Sequence, residues 1–202
     1  DFRIFEEFYS QNDSAGYGFA DGLVENALQG ADPFQTATKG DRKALVLGSL
    51  QSQVMFLAIL GQLEEAIDAC DEKLPDKAML YWDGAAALMI GSIEGPDDGG
   101  QPNGQSFFAI SKQLCDAFGA CEPVSSVVNT LLLSSMTAGG NGIQQNECEA
   151  ARTLIANHIR PYLFVTLIQG LLYYSIEAAY GNEGARGYLL AYTQALLPYV
   201  QT

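Results

Sequence analysis

Basic residues are scarce in this chain. Ten lysines and arginines stand against 24 aspartates and glutamates, a formal net charge of −14. A surface of that sign repels nucleic acid and anionic lipid and attracts cations. Histidine occurs once, at His158, and tryptophan once, at Trp82. One histidine excludes the paired Glu-x-x-His pattern of di-iron carboxylate bundles and, with no Cys-x-x-Cys pair, the common zinc sites. Nucleophile elbows, phosphate-binding loops, dinucleotide fingerprints, His-Glu-x-x-His runs and Cys–His nucleophile arrangements are missing too. An enzyme is therefore not expected.

Long apolar runs are also absent. The longest, residues 162–176, is interrupted by Thr166, Gln169 and Ser175. It falls short of the roughly 20 residues that span a bilayer and reads as a fully buried core helix, so no transmembrane segment is expected. Strand-like alternation is rare. Apolar residues make up 48% of the chain and charged ones only 17%, a balance that folds rather than staying disordered. The opening Asp1-Phe2-Arg3 carries no signal-peptide pattern and reads as a mature or trimmed start.

Helical periodicity is what the sequence does contain. Residues 17–28 read as a helix closed by Gly30 and the Asp32-Pro33 turn. Residues 41–72 form a long helix with Asp41 as N-cap, a bend near Gly61 and a stop at Pro75. Its middle, 54–60, is apolar on all sides and belongs in the centre of a bundle. Helices are expected over 76–93, 105–118, 124–137 (closed by Gly139-Gly140-Asn141-Gly142), 144–159, from Pro161 to 180, and 185–199. The Gly-, Pro- and Asp-rich stretch 95–104 is a surface loop. The fold class is all-α: a single bundle-like domain of about eight helices over 17–202, preceded by an exposed aromatic segment over 1–16.

Cys70, Cys115, Cys121 and Cys148, well separated in an acidic chain, read as two disulfides of a secreted protein, with free buried thiols as the alternative. Three connectivities are open. Cys115–Cys121, across residues 116–120, with Cys70–Cys148 closing the long loop, is the favoured one.

The densest acidic cluster is 64–72. Glu64, Asp68 and Glu72 lie at i, i+4 spacing on one helical face, with Glu65 adjoining. Like charges so spaced repel by roughly a few tenths of a kcal/mol, and the C-terminal end of a helix disfavours them further. A bound cation would relieve both, and hard oxygen donors suit iron, calcium, magnesium or manganese. A solvated face softened by Lys73 and Lys77 is the alternative. On the helix 76–93, Asp83, Ala87, Ile90 and Glu94 fall on one face, which sets two carboxylates among residues that look buried. They stand about 16 Å apart along the axis, so each needs partners from elsewhere. Glu65, Glu177 and His158 are candidate co-ligands. Arg152 and Arg160 are the candidate ion-pair partners in the alternative reading. The turn at Asp97-Asp98 lacks the spacing of an EF-hand loop.

Several segments together resemble the low-iron-inducible periplasmic proteins of algae, also called iron-assimilating proteins. They are Glu64-Glu65-Ala66-Ile67-Asp68-Ala69-Cys70, Trp82-Asp83 leading into Gly91-Ser92-Ile93-Glu94-Gly95, Cys115 and Cys121 with Phe118 between them, and Cys148-Glu149-Ala150-Ala151. The resemblance implies a secreted protein of the periplasm or cell surface, associated with iron uptake, with a domain that also occurs in tandem copies. It transfers no ligand residues. The expected function is non-catalytic iron binding for a membrane transporter, through Glu64, Asp68, Asp83 and Glu94, with Glu65 and Glu177 behind them; another hard cation such as calcium remains open. The competing expectation is a structural or assembly module that packs against copies of itself, with the carboxylates as ion pairs and the aromatic start as the docking segment.

Overall fold

The computed structural model describes residues 2–12, 20–91, 104–123 and 125–200. These form eight helices and no strand. They are α1 (Phe2–Asn12), α2 (Ala20–Gln29), α3 (Lys39–Asp71), α4 (Pro75–Ile90), α5 (Phe107–Cys115), α6 (Val127–Gln144), α7 (Cys148–Ala179) and α8 (Ala185–Val200). The all-α expectation holds. The chain groups into two compact units: residues 1–54 with 167–202, and residues 55–166.

Local chemistry explains most helix ends. The N-cap of α3 is Thr38, not Asp41: its hydroxyl accepts from the Asp41 N–H at 3.0 Å and donates to Asp41 Oδ2 at 2.9 Å. Pro75 opens α4, where a missing N–H costs nothing, and Gly91 closes it at φ +76°. The interruption in α3 is a π-turn at Leu50–Met55 rather than a bend at Gly61. A second π-turn, Ile155–Ile159, lies in α7 just ahead of Pro161. It lets α7 continue past a residue that lacks an N–H and would clash with the preceding turn. Pro161, expected to mark a boundary or a kink, does not end the helix, and the irregularity lies in the π-turn just before it.

In the first unit, α2 and α8 pack on α3, around Leu23, Ala27, Phe34, Leu45 and Ala191. Gly187 makes the α3–α8 approach close enough that any Cβ on it would overlap the Asp41 carbonyl. Over its described residues the N-terminal segment is exposed on one face, at Arg3, Ile4, Glu6 and Glu7, and packed on the other. It forms α1, whose Phe5 is fully buried edge-on to Tyr199, and Tyr9 donates to the Gln194 carbonyl. Amphipathic periodicity in Phe5, Phe8 and Tyr9 drives that docking.

In the second unit, α4 lies along the latter part of α3; α4 buries Ala78, Trp82, Ala85 and Met89, and this part of α3 buries Phe56, Ile59, Leu60 and Leu63. Val54 is half-exposed, so the 54–60 run is not buried on all sides. Helix α6 runs through Gly139 and Gly140 instead of ending before them. The Trp82 ring occupies the space a Cβ on Gly139 would need and would stand 3.2 Å from one on Gly140.

By length and composition alone, α3 and α7 are both able to cross a membrane. The expectation that 162–176 is a fully buried helix is corrected: Leu163, Thr166 and Leu167 are buried, whereas Ile168, Leu172 and Ile176 are 45%, 48% and 55% exposed. One face packs and the other does not.

Candidate functional site

The acidic cluster lies on the last turns of α3. Ala66, Ile67, Ala69 and Cys70 face the core, which turns Glu64, Glu65, Asp68 and Glu72 outward, and all four are exposed. Glu64 and Asp68 border a recess of about 210 Å³ whose other walls include Ile67, Arg152, Ile155 and Arg160. Arg160 Nη2 stands 3.7 Å from Glu64 Oε1. Arg152, one helical turn pair earlier on α7, bridges Asp71 and Glu149. Its hydrogen bonds to Glu149 and then to Asp71 raise its pKa above the ordinary guanidinium value. The two arginines thus hold Asp71, Glu149 and Glu64, and among the described residues no ion pair links either to Asp83; the sequence reading does not anticipate the roles of Asp71 and Glu149. Their legible signal was the i, i+3 spacing of Glu149 and Arg152.

Asp83 is not among buried residues. The stripe α4 buries is Ala78, Trp82, Ala85 and Met89, one position round from the expected face, and Asp83 and Ala87 are exposed. The correction follows from Trp82: the larger apolar side chain takes the core position and its neighbour is turned to solvent. Glu94 lies outside the described residues, as does the Asp97-Asp98 turn. Glu177 is partly buried on α7, belongs to the first unit, and accepts a hydrogen bond from Asn182 Nδ2. Glu64, Glu65, Asp68 and Asp83 all belong to the second unit. His158 is exposed, with Nδ1 3.4 Å from the Tyr162 hydroxyl.

Among the described residues, the group with three ligand atoms within 4.8 Å of one another is Cys115, Asp116 and Cys121. Its two sulfurs are joined to each other. Sulfur in a disulfide offers no thiolate, so this trio is not a metal site in the oxidised protein. Among the described residues the nominated carboxylates form no such trio, so a cation on the α3 face would keep much of its water shell.

Both disulfides match the favoured connectivity. Cys70–Cys148 ties α3 to α7 with Cα atoms 5.8 Å apart, and Cys115–Cys121 closes the turn after α5 at 4.9 Å. Bridges of this kind persist in oxidising compartments. Compared with protein-family models, with curated proteins and with solved structures, the chain matches none of them.

Proposed function

We propose that this chain is a secreted, non-catalytic protein of iron assimilation, which collects cations reversibly on the exposed carboxylates of α3 for delivery to a membrane transporter. The observation that carries the reading is the solvent-facing row Glu64, Glu65 and Asp68 beside the Arg152–Arg160 recess. The net charge of −14 concentrates cations around it. The two disulfides fit an extracytoplasmic setting. The resemblance to low-iron-inducible periplasmic proteins supplies the metal. Exposed oxygens with retained water give weak, exchangeable binding, about 10⁻⁴ to 10⁻³ M as in extracellular calcium modules. Anaerobic calorimetric titration with ferrous ion tests this. Saturable binding in that range supports it, and heats indistinguishable from dilution sink it.

A second reading, an assembly module, is favoured by Ile168, Leu172, Ile176 and Tyr180. They recur every four residues near the end of α7, and Tyr180 is 79% exposed. An uncovered apolar row of that kind suits a protein interface. Under this reading Leu172→Glu lowers the mass seen by light scattering at high concentration. An unchanged monomeric mass in both proteins removes it.

A further inference from the structure

Three of the chain's ten basic residues, Lys39, Arg42 and Lys43, stand together at the start of α3. They border a surface cavity of about 290 Å³ in the first unit, whose apolar wall includes Leu28, Val46 and Leu47. Among the described residues its lining holds no carboxylate. The one carboxylate in this stretch, Asp41, is engaged by the Thr38 hydroxyl and borders a different cavity. Arg42 Nη1 reaches the Ala27 carbonyl at 3.3 Å, while its buried Nε meets no acceptor.

We propose that this cavity binds an amphipathic carboxylate, with its alkyl part on Leu28, Val46 and Leu47 and its head group received by Lys39, Lys43 and Arg42. Three positive charges exclude a cation. A small polar anion gains nothing from the apolar wall and is repelled by a chain of net charge −14. An alkyl carboxylate satisfies both parts: charge-assisted hydrogen bonds at one end and apolar burial at the other. The cavity sits at the small end of ligand pockets, roughly 300 to 1,000 Å³, which fits a short chain rather than a long one. The proposal goes beyond the cation reading and does not depend on it, since it uses charge of the opposite sign on other residues.

The test is an NMR titration of the full-length, disulfide-intact chain with sodium octanoate below its micelle concentration, alongside octan-1-ol and sodium acetate. Saturable shifts centred on Leu28, Val46 and Leu47 are expected with octanoate alone. The doubly substituted Lys39→Gln, Lys43→Gln chain, altered only at exposed positions, should bind about tenfold more weakly with its other resonances unmoved. Equal binding of octanol, equal binding of acetate, shifts scattered over the surface, or undiminished affinity of the double variant would each overturn the proposal.

Discussion

The Trp82 indole N–H donates to the Met136 carbonyl at 3.0 Å, and the ring lies where any side chain on Gly139 would have to be. This contact explains why α6 keeps two consecutive glycines in its interior despite their poor helix propensity. Gly139→Ala should destabilise the protein by about 1 to 3 kcal/mol through overpacking. Urea unfolding followed by circular dichroism measures it, and an unchanged midpoint would show that the ring yields freely.

The two disulfides close loops of very different length, with sequence separations of 78 and 6. On the loop-entropy model the longer bridge contributes about 4 kcal/mol and the shorter about 2. Paired Cys→Ala replacement of Cys70 and Cys148 should therefore lower the unfolding free energy more than replacement of Cys115 and Cys121. The reverse order in denaturant titrations would contradict this.

Tyr174 stacks on Tyr188 with ring centroids 4.5 Å apart and lies 5.7 Å from Tyr192. Burial holds the Tyr174 and Tyr192 phenols neutral far above the usual tyrosine range, and their neighbouring phenols push the same way. Burial also raises Tyr188 and Tyr9. Tyrosines in the unfolded chain ionise near about pH 10, so above that pH the unfolded state binds fewer protons than the folded one. Stability contributed by these groups is complete below about pH 10 and declines as pH rises beyond it. Thermal melts across this range should show the decline, and Tyr192→Phe should make it shallower. A melting temperature that stays level to pH 11 would contradict the burial of these phenols.

Phe5 is fully buried, yet α1 is a short helix held chiefly by α8. Such an element can detach without global unfolding. Phe5→Ala should therefore accelerate hydrogen exchange in residues 3–11 while moving the global unfolding midpoint by less than the roughly 3 to 5 kcal/mol of a central Phe→Ala change. Equal loss of protection throughout the first unit would show that α1 is integral to it.

The helical class, the two bridges and the shared face of Glu64 and Asp68 are legible because periodicity, cysteine spacing and i, i+4 spacing are local signals; that this face is turned to solvent is decided by the packing of Ala66, Ile67, Ala69 and Cys70. The errors are equally physical. Gly139 and Gly140 read as a stop because the sequence does not reveal the partner ring that needs them. Asp83 was placed inward because the α4 segment is apolar on several sides, and only the position of Trp82 decides which face wins. The docked face of α1 is not legible because its partners, Gln194 and Tyr199, lie on α8, nearly two hundred residues on in sequence.

The most direct test of the cation reading is paramagnetic line broadening by substoichiometric ferrous ion in the isotope-labelled chain, kept anaerobic. Loss of amide signals centred on residues 61–72, and its disappearance in the Glu64→Gln, Asp68→Asn chain, is the result predicted. Broadening spread evenly over the acidic surface, or unchanged in that variant, would contradict it.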